Sequence, residues 1–145
     1  MTKIEHNIII QSPPDRVFDF TSNWQNFVQY FGYIKELKPA SNKTTGEGAL
    51  FATRVKFMGL TLSSLWEMAE YVPNETLALI TPLMGVRAKK HWRFTPENGS
   101  TRVMFTLEYK PWPLVGPLLD MLFMKRYWEK MDAKLVQNLK RLIET

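Results

Sequence analysis

The chain has 145 residues, 45% of them hydrophobic and 23% charged, with a formal net charge of +5 and no cysteine. That size and balance suit one globular domain, residues 1–145, with a real core, and they argue against disorder. The lack of cysteine excludes a disulfide framework, a thiolate nucleophile and a Cys-ligated metal.

The basic groups fall in separate places, at Lys35/Lys38/Lys43, Arg87/Lys89/Lys90/Arg93 and Lys125/Arg126/Lys130. A nucleic-acid footprint would be one dense stripe, so no nucleic-acid partner is expected. The opening residues Met1–His6 carry no signal-peptide apolar run, and no segment reaches the roughly 20 apolar residues of a spanning helix. The expectation is a cytoplasmic protein. Five Trp, nine Phe and eight Met suit a large or irregular apolar interior as well as an ordinary core.

Residues 4–11 alternate, with Ile4, His6, Ile8 and Ile10 on one face, and predict a first strand. Ser12 can cap a short helix that begins in Pro13-Pro14 and carries Val17, Phe18 and Phe20. Asn23 or Ser22 can cap a second short helix, which presents Trp24, Phe27, Val28 and Phe31 and stops near Gly32.

Strands then follow one another: 33–38, 50–58, 61–71, 76–81, 86–95 and 101–109. They are punctuated by Gly46 and Gly48, Gly59, Pro73-Asn74, Pro82 with Gly85, and Pro96-Glu97-Asn98-Gly99. Regular spacing of this kind implies an antiparallel meander. Pro111-Trp112-Pro113 breaks the last strand. Beyond Pro117, residues Met121, Met124, Trp128, Met131, Leu135, Leu139 and Leu142 recur at three- and four-residue steps, predicting one long amphipathic helix with its stripe toward the sheet. The fold class is α+β: a curved antiparallel sheet of about seven strands around a long C-terminal helix, with two short helices after the first strand.

Several segments carry a resemblance to a known superfamily. They are Gln11-Ser12-Pro13-Pro14-Asp15-Arg16-Val17-Phe18, Gly46-Glu47-Gly48, Trp66-Glu67-Met68-Ala69-Glu70-Tyr71-Val72-Pro73, Trp92-Arg93-Phe94-Thr95-Pro96, Gly99-Ser100-Thr101-Arg102-Val103 and Leu139-Lys140-Arg141-Leu142. In order and spacing the chain resembles the START-like (SRPBCC) superfamily over 4–144, nearest its polyketide cyclase/dehydrase-like branch and akin to the birch-pollen-allergen proteins. The resemblance implies the helix-grip fold and an apolar cavity between the sheet and the C-terminal helix. The same fold hosts carriers, receptors and enzymes, so it does not choose among them.

On that resemblance, the inward phase of each element proposes the cavity lining. It picks His6, Thr53, Ser64 with Trp66, Thr81, Lys90 with Trp92, and Tyr109 from the strands. Met124, Trp128 and Met131, with Leu135, form the opposite wall. Each has a plainer use: His6 at a wet rim, Lys90 reaching out of the sheet end, the tryptophans in core. Glu67 and Glu70 are expected on the outward face.

No P-loop, dinucleotide fingerprint, nucleophile elbow or His-Glu-x-x-His helix is present. No cofactor and no metal are expected, and no catalytic residue is assigned. The expected function is binding of a hydrophobic small molecule, lipid-like or polycyclic. The alternatives are a cyclase- or dehydratase-type enzyme on a polyketide-like substrate, and a protein-interaction module built on the apolar 112–124 segment. For that segment, capping the cavity mouth, pairing in a homodimer and touching a membrane surface beside Lys125-Arg126 compete.

Overall fold

In the computed structural model, which describes residues 1–111 and 116–145, seven antiparallel strands form one sheet. They are β1 (Thr2–Ile10), β2 (Ile34–Pro39), β3 (Leu50–Phe57), β4 (Leu60–Val72), β5 (Thr76–Ile80), β6 (Ala88–Glu97) and β7 (Ser100–Tyr109). The order is β1-β7-β6-β5-β4-β3-β2. Every neighbour in the row β2 to β7 follows its predecessor in sequence, and β1 closes onto β7. Helix α1 (Pro14–Ser22), a 3-10 turn (Trp24–Asn26) and α2 (Phe27–Phe31) fill the connection from β1 to β2. A short helix α3 (Gly116–Leu119) runs through a π turn (Asp120–Met124) into α4 (Lys125–Glu144). This is the helix-grip arrangement.

The turns follow from the residues placed in them. Met58-Gly59, Met84-Gly85 and Asn98-Gly99 all hold positive φ in consecutive positions, the conformation that matches the twist of a tight hairpin. Gly32 ends α2 in the left-handed region, with φ +79. Asn23 accepts a hydrogen bond from the Gln25 amide at 3.0 Å and caps the 3-10 turn.

Ser12 does not cap α1. The helix starts from Pro13 with no side-chain cap, one residue beyond Ser12, whose amide donates to the Ile10 carbonyl in a tight turn. The Ser12 carbonyl instead accepts a 2.7 Å bond from Thr101 Oγ1, which ties the α1 entry to β7. Both groups are buried. Thr101→Val keeps the shape and leaves that carbonyl without its partner; thermal unfolding is expected to show a loss of about 1–3 kcal/mol.

The core lies between the concave sheet face and the helices. Phe31 on α2 is its centre, packing against Phe27, Tyr30, Tyr33, Trp66 and Trp92 with ring centroids 4.9–6.1 Å apart. Aromatic pairs of this kind add about 0.5–1.5 kcal/mol each beyond area burial. The far end of α4 is clamped to the first strand: Lys140 Nζ donates to the Ile9 carbonyl, and the Gln11 amide donates to Glu144.

Two β-bulges set which face a residue occupies. One lies between Met68 and Glu70 on β4, the other between Ile34 and Glu36 on β2. The extra residue turns Glu70 outward, where it bonds His91 Nε2 at 3.0 Å, and it turns Tyr71 inward onto Phe18.

The C-terminal helix differs from the predicted single stripe. The π turn adds a residue to the helical repeat and rotates what precedes it, so Met121 is 66% exposed rather than facing the sheet. The predicted break at 111–113 and the apolar 112–124 segment fall partly on residues 112–115, which lie outside the described residues. No helix among the described residues is long and apolar enough to cross a membrane.

Candidate functional site

A cavity opens between β3–β7 on one side and the α3–α4 segment on the other. Tyr33, Val55, Phe57 and Trp66 form its wall at the β2–β4 end; Val86, Ala88, Lys90, Leu107 and Tyr109 form the sheet side; Leu119, Asp120, Met124 and Trp128 close it from the helix. Leu83 and the exposed Leu119 stand at its outer end, and buried Lys90 at its inner end. The space open to the centre of a water-sized sphere is about 60 Å3.

The sequence-derived residues divide between the cavity and its surroundings. Trp66, Thr81, Lys90, Tyr109, Met124 and Trp128 line it. His6, Thr53, Ser64, Trp92 and Met131 lie outside the lining, each for a local reason. Trp92 is completely covered because Phe31 and Phe105 pack on it at 6.1 and 5.0 Å. The Thr53 hydroxyl donates to the Ser64 carbonyl at 2.9 Å, inside the β3–β4 pair. Ser64 Oγ donates to the Pro82 carbonyl and fastens the loop after β5. Met131 packs at the edge of the core beside the helix stripe. His6 is half-buried on β1, away from the cavity wall.

The chemistry at the inner end belongs to Lys90 and Asp132. Lys90 Nζ lies 3.7 Å from Asp132 Oδ1, with both side chains almost wholly removed from solvent. Four rings surround the ammonium: Trp128 at 4.7 Å, Tyr33 at 5.7 Å, and Phe31 and Phe105 at 6.0 Å. Their π faces partly replace lost hydration. Burial pushes the Lys90 amine below its usual range and the Asp132 carboxyl above its own. The attraction between the two opposes both shifts, and His6 adds to it at Asp132. Burial and the Asp132 charge also raise the Tyr33 phenol well above its ordinary value.

At the opposite rim, Asp120 is buried and accepts from the Tyr109 phenol and the Thr2 hydroxyl. These bonds fasten the π turn to β1 and β7. Burial comes first among the causes that raise the Tyr109 phenol, followed by the bond to Asp120. Among the described residues no cluster of three or more His, Asp or Glu could hold a metal.

This cavity sits in a chain whose residues 1–144 match the family described as polyketide cyclase / dehydrase and lipid transport. The chain belongs to that family. The polyketide cyclase/dehydrase and lipid transport fold is shared with TTHA0849 from Thermus thermophilus, at 22% identity and TM-score 0.81, covering 98% of this chain and 97% of that one. It is also shared with the Zhui aromatase/cyclase from Streptomyces sp. R1128, at 12% identity and TM-score 0.72, covering 97% and 95%. Ara h 8.0201 is similar at 11% identity and TM-score 0.72, covering 98% and 97%. No curated protein matches the sequence. Identities this low show a common fold, the START-like one; the site must be argued from this chain's own residues.

Within the family fold, sequence reasoning missed Asp132, Asp120 and Tyr33. Asp132 was legible: it lies four residues after Trp128 and three before Leu135, on the apolar stripe itself. A charged residue there needs a buried partner, and inward-facing Lys90 needs the opposite charge. Asp120 gave no such signal, because the π turn that buries it breaks the helical period.

Proposed function

We propose that the chain binds a hydrophobic small molecule, lipid-like or polycyclic, in the cavity between the sheet and α4. The observation that carries this reading is the composition of the wall: Val55, Phe57, Trp66, Leu107 and Trp128 face a space that opens outward, with Lys90 and Tyr109 as widely spaced polar groups. Small-molecule sites combine this kind of apolar lining with a few placed polar atoms.

Native mass spectrometry of the freshly purified protein, followed by solvent extraction, tests this. The expected result is a stoichiometric apolar molecule, or uptake of an added naphthalene-sized one. A chain that arrives empty and takes up none of a series of added aromatic and acyl compounds would sink the proposal.

A cyclase- or dehydratase-type enzyme is the second reading, favoured by the titratable Lys90–Asp132 pair beside the cavity. It requires a changed mass in the extracted molecule after incubation. An interaction surface is the third, favoured by exposed Leu118, Met121, Leu122 and Phe123 next to exposed Lys125 and Arg126. It requires a dimer or a vesicle-bound fraction that Phe123→Ser abolishes.

A further inference from the structure

The segment that leads into α4 is turned inside out for a protein surrounded by water. Its one carboxylate, Asp120, is buried and accepts from Tyr109 and Thr2, while Leu118, Met121, Leu122 and Phe123 around it are exposed, Phe123 at 59%. Apolar side chains exposed this close together form a patch, unlike the single exposed residues that folded proteins scatter over their surfaces.

Two further parts of the fold meet this segment. The antiparallel order puts the β3–β4 hairpin, the β5–β6 loop and the end of β7 at one end of the sheet. Met58 and Leu60 are exposed at the tip of that hairpin. The Met58 amide donates to Tyr127 Oη at 3.4 Å, which holds the hairpin against the first turn of α4. The β5–β6 loop brings Leu83 and Met84 to the cavity wall that Leu119 also forms. The cavity mouth therefore lies within this apolar end.

Charge decides what fits there. The segments that pass through this end, residues 48–66, 81–96 and 109–128, contain a single carboxylate, the sequestered Asp120. Lys56, Arg87, Lys110, Lys125 and Arg126 stand on them, all exposed. A second copy of the chain would set this positive rim against an identical one, and like charges across an interface oppose association. An anionic bilayer suits both features. Its surface attracts each nearby lysine or arginine, and its acyl boundary takes up the apolar side chains.

We propose that this end of the molecule docks on an anionic lipid surface, with Leu118, Met121, Leu122 and Phe123 entering the acyl boundary, Lys125 and Arg126 among the headgroups, and the cavity mouth facing the bilayer. Docking rests on the reading of the exposed turn as an interaction surface, commits it to a lipid partner, and is independent of what the cavity holds.

Flotation of the full chain tests this, with vesicles of equal parts phosphatidylcholine and phosphatidylglycerol beside vesicles of phosphatidylcholine alone. The protein is expected to float with the mixed vesicles and to bind the neutral ones at least about tenfold more weakly. Raised salt is expected to release it, because exposed charges are screened. Lys125→Gln with Arg126→Gln is expected to weaken binding about tenfold or more, and Phe123→Ser by a similar factor through lost apolar burial. Lys38→Gln with Lys43→Gln removes the same charge toward the other end of the sheet and is expected to cost less than about threefold. All five substituted side chains are exposed, and thermal unfolding checks that each variant keeps its fold.

Equal binding to the two kinds of vesicle, or equal losses in the two charge variants, would overturn docking of this end on anionic lipid. Failure to float, together with a concentration-dependent dimer that Phe123→Ser dissolves, would overturn the lipid partner and keep the interaction surface. A monomer that floats with neither vesicle would overturn both.

Discussion

Replacing Asp132 by alanine is expected to lower the stability of the fold by about 3–5 kcal/mol, the usual result of removing one partner from a buried pair. For a chain of this length that is a fall of roughly 6–20 °C in Tm, at ~2–4 °C per kcal/mol. The cause is the lysine left behind. Lys90 is completely buried among four rings, and Asp132 is the one carboxylate among the described residues within ion-pair distance of it. Cation–π contacts are worth about 0.5–2 kcal/mol and cannot replace the lost counter-charge.

Changing both residues together removes the problem as well as the pair. Lys90→Met with Asp132→Leu is expected to stay within about 1 kcal/mol of wild type or to exceed it, as buried pairs replaced by packed apolar groups often do. Calorimetry on the two singles and the double closes a cycle whose coupling should be large. A single Asp132→Ala loss under about 1 kcal/mol would mean that the pair is not charged in the folded chain. It would also remove the reason to treat the inner end as polar.

Trp128→Ala is expected to weaken binding of 2-acetylnaphthalene by about 2 kcal/mol, roughly thirtyfold, from lost aromatic contact and lost apolar burial. Trp128 stacks on Phe57 at 5.8 Å with 19° between the rings, meets Tyr33 edge-on at 5.8 Å and lies nearest the Lys90 ammonium. It is therefore both wall and ring cage. Glu67→Ala, on the exposed outward face of β4, is the control and is expected to leave affinity unchanged. The comparison reads out the face assignment: similar losses in the two variants would place the ligand somewhere other than the concave side. Thermal unfolding of both separates lost binding from lost structure, since partly exposed Trp128 belongs to the edge of the core rather than its centre.

The strands were legible because their signal is local. Val86, Ala88, Lys90, Trp92 and Phe94 alternate in one phase, and in the structure Ala88, Lys90, Trp92 and Phe94 lie on the concave side of β6 with Val86 at the cavity just before it. The hairpin at Asn98-Gly99 was equally plain, since two successive positive φ angles favour those residues. The cavity was less so. Phase along a strand says which side a residue faces and nothing about what covers it. Trp92 and Trp66 share a face, yet Phe31 and Phe105 seal Trp92 into the core while Trp66 reaches the cavity.

By itself, then, the sequence determined the element order, the antiparallel meander and the long C-terminal helix, all properties of periodicity and turn chemistry within about ten residues of chain, while the START-like fold entered as a resemblance carried by the order and spacing of its segments. Only the tertiary structure decided where the empty space lies and which polar groups surround it. The α2 aromatics fill one end of the groove, the π turn rotates Met121 out and Asp120 in, and Asp132 meets Lys90 across 42 positions of sequence. The first two depend on packing between distant segments, which no local pattern records; for the third, each element carried a local hint, a charge on its apolar face, and only the tertiary fold brought the two together.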